Sequence, residues 1–98
     1  SLLPSTGDLA SIGQQMVASV PMLVNTANKC GGALGKPITL ISEDDATDPS
    51  KGATAMTKLA EVDKVAGVVG SFASSVSTAA VDIAVRNKVM LISPGSTS

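Results

Sequence analysis

Apolar and polar positions change period several times along this 98-residue chain, and each change marks an element. Ile12, Met16, Val20, Leu23, Val24 and Ala27 recur at helical spacing, which predicts a helix with one apolar stripe. Gln14, Gln15, Asn25, Asn28 and Lys29 fall largely off that stripe. The turn PSTGD precedes it, with Asp8 or Ser11 placed to cap the helix, and Gly31-Gly32 ends it. Pro21 lies inside the pattern, where its missing N–H predicts a kink or a split.

Beyond the GALGKP turn, Ile38–Ile41 reads as a β-branched-rich strand. Asp48 and Pro49 then form a helix-start pair, and Ala53, Met56, Leu59 and Ala60 mark the inner face of the helix they open. Val65–Val69 reads as a further strand, closed by Gly70. Ser74 or Ser75 caps a third helix, whose Val76, Ala79, Ala80, Ile83 and Ala84 point inward, and Val89–Ile92 is the last strand. Ser1–Leu3 is apolar but too short to stand as a strand alone. Short apolar strands alternating with amphipathic helices predict an α/β fold: a doubly wound open parallel sheet with helices on both faces, built as a single unit over residues 1–98.

Composition narrows the chemistry. The net charge is −1 with acids and bases scattered, which argues against a nucleic-acid partner. Phe72 is the sole aromatic residue, so there is no stacking platform for bases or sugars. The sequence has no histidine, which removes Ser-His-Asp and Cys-His catalysis and histidine zinc sites together. Cys30 is the single cysteine and permits no internal disulfide. No stretch is apolar for the ~20 residues of a membrane-crossing helix.

In an open parallel sheet, ligands bind beyond the carboxyl ends of the strands, where helix N-termini also point. Those loops here are PSTGDLAS, EDDATDP, GSFASS and SPGSTS, three of them rich in Ser, Thr and Gly. The opposite loops, GGALGKP and RNK, carry the basic residues. This polarity suits a small polar ligand with an anionic group. Ser74 presents a hydroxyl beside helix N–H groups, Gly95 removes a Cβ from the approach, and Thr97 offers an N–H and a hydroxyl from one position. The bland alternative stays open: Ser74 caps its helix and SPGSTS is an ordinary loop.

Other motifs fail. GGALGKP departs from a phosphate-binding loop: its glycine spacing is one residue short, Pro37 replaces the hydroxyl residue, and a strand follows. Glu43, Asp44, Asp45 and Asp48 lack EF-hand spacing, and carboxylates before a helix need no metal to explain them. No enzyme, cofactor or metal site is expected.

The runs LLPSTGDLASIGQQM, GKPITLISEDDATDP, VAGVVGSFASS and VMLISPGSTS, in this order, resemble the type I periplasmic binding proteins, and within them the branched-chain and neutral amino-acid-binding subunits of ABC importers. The resemblance implies a non-catalytic, periplasmic or extracytoplasmic receptor. Such a receptor closes two lobes on a small amino acid or related amide and delivers it to a membrane permease. It implies that Ser74 grips the ligand carboxylate, and that Gly95 and Thr97 bind carboxylate and ammonium. Some relatives carry an aromatic residue where Ile12 stands, and others join two loops by a disulfide at the positions of Thr47 and Ala73. The resemblance covers the first half of an N-terminal lobe, so this chain is expected to be a fragment with millimolar affinity or none. Exposed faces and a sheet edge would then favour self-association, as in a homodimer. A sensor lobe of a signalling receptor and an inert self-packing fragment are the alternatives.

Overall fold

Two leucines at the chain's start organise the fold. In the computed structural model, which describes residues 1–98, Leu2–Leu3 forms strand β1. There follow α1 (Ala10–Lys29), β2 (Glu43–Asp44), α2 (Pro49–Thr57) running into a π-helical turn (Lys58–Val62), β3 (Gly67–Val69), α3 (Ser74–Arg86) and β4 (Met90–Ile92). β1 pairs parallel with β2, and β3 pairs parallel with β4. A single parallel bridge from Leu2 to Gly70 joins the two small sheets, so the strands succeed one another as β2, β1, β3, β4. Gly70 permits that junction: it has a positive φ, and a Cβ there would stand 1.9 Å from the Leu2 carbonyl oxygen.

Side chains alternate across the strands as the pleat requires. Leu2 and Val68 join Ala55, Met56, Leu59, Ala60, Ala80, Ile83 and Ala84 in one core beneath α2 and α3. Leu3 and Val69 instead border α1, beside Met16 and Val20. The inner faces expected for α2 and α3 are the ones buried, with Ala53 and Ala79 only half-buried. Each fully buried Leu or Met here stabilises the fold by ~1.5–3 kcal/mol. α2 and α3 approach so closely that a Cβ on Gly52 would lie 2.3 Å from Val76 Cγ1.

Several boundaries differ from the sequence expectation. The second strand is Glu43–Asp44 rather than Ile38–Ile41. Leu2 sits opposite Glu43, and the Ser1 amino group donates to the Ile41 carbonyl at 2.6 Å, while Ile38–Leu40 join no ladder. Asn28 holds this stretch instead, accepting from the Ile38 N–H at 2.6 Å and donating to its carbonyl at 3.0 Å. For the same reason Leu2–Leu3 becomes a strand: β2 and Gly70 flank it on both sides. β3 and β4 begin later than Val65 and Val89, and neither Asp8 nor Ser11 caps α1, which opens at Ala10 with no side-chain cap. Pro21 does not split the helix, because its position faces solvent. Ile12 and Leu23 of the expected apolar stripe are exposed, since α1 is the one helix on that face of the strands.

At the GALGKP turn, Ala33 and Lys36 exchange both backbone hydrogen bonds at 2.9 Å around Leu34 and Gly35, which have φ of 51° and 75°. This is the hairpin turn that favours Asn-Gly. Leu34 is 102% exposed and in a left-handed conformation costly for a branched side chain. Leu34→Asn is therefore expected to stabilise the chain by about 1 kcal/mol, read as a higher urea midpoint at constant slope.

Candidate functional site

Two neighbouring aspartates stitch together three of the four loops beyond the carboxyl ends of the strands. Asp44, at the end of β2, reaches the loop after β1. Its Oδ1 accepts from the N–H groups of Ser5 (2.9 Å), Thr6 (3.2 Å) and Ala46 (2.8 Å), and its Oδ2 accepts from Thr6 Oγ1 at 2.5 Å. Burial pushes its carboxyl upward, but the hydrogen bonds from Thr6, Ala46 and Ser5 outweigh it and hold the group at about 2, below its ordinary 3.8. A depressed carboxyl stabilises the fold above its unfolded value and loses that contribution as pH falls through the folded one. Stability is therefore expected to decline between pH 3.8 and about 2, and Asp44→Asn should flatten that part of a urea-midpoint profile.

Asp45 turns the other way and is fully buried. Its Oδ2 accepts from Ser71 Oγ at 2.5 Å and its Oδ1 from the Thr47 N–H at 2.8 Å. The loops after β2 and β3, which a disulfide joins in some members of the family the sequence resembles, are joined here by this pair. Asp48 caps α2 as expected, accepting from the Lys51 N–H at 3.0 Å with Pro49 in the first turn. The acidic run is thus accounted for by loop and cap hydrogen bonds.

Serines fasten the last two loops. Ser93 Oγ accepts from the N–H groups of Gly95 (3.2 Å) and Ser96 (2.9 Å), closing the SPGS turn. The Ser71 carbonyl lies within hydrogen-bond reach of the hydroxyls of Ser77 (3.0 Å), Ser96 (3.1 Å) and Ser93. Ser96 Oγ lies 2.6 Å from Ser77 Oγ and 2.7 Å from Ser93 Oγ. None of these four serines was singled out by sequence reasoning. The available signal was the S-P-G-S spacing, which suits a serine turn.

On this support two of the three expected site residues, Ser74 and Thr97, come together. Ser74 is the first residue of α3 and does not cap it; the helix opens with no side-chain cap at all. Ser74 Oγ instead accepts from the N–H of Thr97 at 3.1 Å and of Ser98 at 3.4 Å. Two backbone donors and the uncapped end of a 13-residue helix therefore converge around one hydroxyl, whose proton is free to donate elsewhere. Gly95, the third, makes no hydrogen bond to Ser74 or Thr97. Its N–H is committed to Ser93, and the Phe72 ring fills the space a Cβ would take, with Cε2 only 2.2 Å away. The missing side chain thus has a packing reason. A shallow cavity of about 270 Å³ adjoins this point, lined by Ser74, Ser77, Thr78, Val81, Leu91, Ser93 and Ser98.

Hydroxyls and N–H groups line this end of the strands, with no cationic side chain at Ser74. A larger hollow of about 420 Å³ lies at the opposite ends of β3 and β4, beside Lys64 and Lys88. It shares no residue with the convergent donors.

A family model described as periplasmic binding protein matches residues 1–98. The Leu/Ile/Val-binding protein homolog 2 of Brucella abortus (strain 2308) is 41% identical over 95 residues, which is 97% of this chain and 25% of that protein. Among solved structures, the branched-chain amino acid transporter substrate-binding protein LivJ of Streptococcus pneumoniae, in complex with isoleucine, superposes with a TM-score of 0.94 at 32% identity, covering 99% of this chain and 28% of its own. A solute-binding protein of an ABC transporter from R. palustris, in complex with benzoate, gives a TM-score of 0.82 at 28% identity, covering 97% and 26%. The chain spans about a quarter of the length of these relatives. It belongs to the periplasmic binding protein family, whose members bind solutes for ABC importers and are not enzymes.

Proposed function

We propose that this chain supplies the carboxylate-gripping part of a solute site in the binding protein of an ABC importer. The ligand is a branched-chain or neutral amino acid, the location is periplasmic, and the cognate permease is the downstream partner. In this reading the two small sheets act as one doubly wound parallel sheet over residues 1–98, with the ligand at its carboxyl edge.

One observation carries the reading: Ser74 Oγ stands where the Thr97 and Ser98 N–H groups converge, at the mouth of an uncapped helix. A carboxylate oxygen arriving there accepts a hydrogen bond from the Ser74 hydroxyl and competes for the Thr97 N–H, while the helix end favours its charge. The Gly95 carbonyl and the exposed Thr97 hydroxyl are left for the ligand ammonium. The two ligands named for similar structures, isoleucine and benzoate, have a carboxylate in common, which supports that group as the anchor.

Three or four charge-assisted hydrogen bonds at roughly 1.5–3 kcal/mol each stand against an association cost of ~4–15 kcal/mol. Where the gain exceeds the cost by about 4 kcal/mol, the contacts of this chain alone give millimolar affinity; where it does not, they give none. The test is a calorimetric titration of the 98-residue chain with leucine, benzoate, leucinamide and urea. Leucine and benzoate are expected to bind in the millimolar range, and leucinamide and urea to give no heat beyond dilution. Equal binding of leucinamide and leucine would remove the carboxylate from the account.

A further inference from the structure

Hydroxyls, rather than a backbone ladder, decide where the loop after β4 lies. Residues 93–98 make no backbone–backbone hydrogen bond, so serine side chains and the contact of Gly95 with Phe72 fix its position. The serines do this in two ways. Ser93 Oγ accepts from the Gly95 and Ser96 N–H groups and closes the turn upon itself. Ser96 Oγ reaches other segments instead: it lies 2.6 Å from Ser77 Oγ in the first turn of α3, 3.1 Å from the Ser71 carbonyl and 3.2 Å from the Phe72 carbonyl.

The proton count sets Ser96 apart from its neighbours. The Ser71 carbonyl has two lone pairs, yet the hydroxyls of Ser77, Ser93 and Ser96 all lie within its reach. Of the three, only Ser96 has a second carbonyl beside it, that of Phe72. It can donate there while accepting from Ser77 or Ser93, and so bridges the loop after β3, the mouth of α3 and the loop after β4. The Ser71 end of this bridge is anchored, because Ser71 is fully buried and its own hydroxyl donates to Asp45.

The residue that follows Ser96 is Thr97, whose N–H reaches Ser74 Oγ at 3.1 Å, with Ser98 at 3.4 Å. N–H···O bonds are made at ~2.7–3.2 Å, so a shift of ~0.5 Å in this segment would break both. We propose that Ser96 is a positioning residue of the solute site. Its hydroxyl, held between Phe72 and Ser77, keeps the Thr97 N–H on Ser74 Oγ. It thereby sets the donors that a ligand carboxylate meets, without touching the ligand. This inference rests on the carboxylate site proposed at Ser74.

Amide-resolved NMR of the ligand-free chain tests it, reading the temperature dependence of each amide shift. In the wild type the Thr97 and Gly95 amides are expected to show the shallow dependence of bonded N–H groups. Ser96→Ala should fold, since Ser96 is only half-buried and the Ser71 carbonyl keeps Ser77 and Ser93 as donors. In that variant the Thr97 amide is expected to take the steep dependence of a water-exposed N–H, as it should in Ser74→Ala. The Gly95 amide, bonded to Ser93, is expected to stay shallow in both. A steep Thr97 amide in the wild type, or a shallow one in Ser96→Ala, would overturn the proposal. So would a Gly95 amide that turns steep in Ser96→Ala, because the hydroxyl would then hold the turn as a whole rather than the donor. Binding of leucinamide as well as leucine would remove the carboxylate reading but leave these amide results as they are, so the two fail separately.

Discussion

Replacing Asp45 by alanine is expected to destabilise the chain by about 3 kcal/mol, a large part of the total stability of a small domain. The carboxylate is fully buried and accepts from Ser71 Oγ and the Thr47 N–H. Alanine leaves both donors without a partner, each at a cost of ~1–3 kcal/mol, and opens a small void. Asp45→Asn keeps one oxygen and the shape, and the Ser71 hydroxyl can turn to accept from the new amide. About 1 kcal/mol is expected for that change. Asp82→Ala, on the exposed side of α3, should stay within ~0.5 kcal/mol. Urea unfolding at neutral pH reads all three. An Asp45→Ala midpoint equal to that of Asp82→Ala would show that the two loops are not held by this pair.

Ser74→Ala is expected to weaken leucine binding by about 10- to 150-fold, the equivalent of one charge-assisted hydrogen bond of ~1.5–3 kcal/mol. From a millimolar starting point this places saturation beyond reach in a titration. The same substitution should hardly change stability, because the N–H groups it frees at Thr97 and Ser98 are exposed to water. That split separates a binding role from a structural one. Ser50→Ala, an exposed serine at the start of α2, serves as the control and should bind as the wild type does. Loss of stability without loss of affinity on Ser74→Ala would assign the hydroxyl to the loop alone.

The helices and the sheet-facing residues were legible in the sequence because their signals are local. Helical periodicity fixed the inner faces of α2 and α3, and Asp48-Pro49 fixed a helix start by cap chemistry within four residues. Strand boundaries were not legible, because pairing is non-local: ITLI has the composition of a strand, yet the register that sets Leu2 opposite Glu43 puts the ladder on Glu43 and Asp44 instead. Leu2–Leu3 shows the converse, two residues too few to read as a strand until neighbours close on both sides. The choice of Ser74, Gly95 and Thr97 as candidates followed from the rule that open parallel sheets bind at their carboxyl ends, together with the family resemblance, and the structure brings Ser74 and Thr97 into contact. The clasp of Ser71, Ser77, Ser93 and Ser96 escaped, since its members come from three segments and meet at a single carbonyl. Gly95 had its packing reason hidden likewise, because Phe72 lies far from it in the chain.

The most direct measurement is an amide-resolved NMR titration of the wild-type chain with leucine into the high millimolar range. The account predicts that shifts cluster at Ser74 to Val76 and at Gly95 to Ser98, where the loop after β4 meets the mouth of α3. Shifts confined to the basic hollow around Lys64 and Lys88, or to the apolar groove beside α1, would contradict a carboxylate site at Ser74.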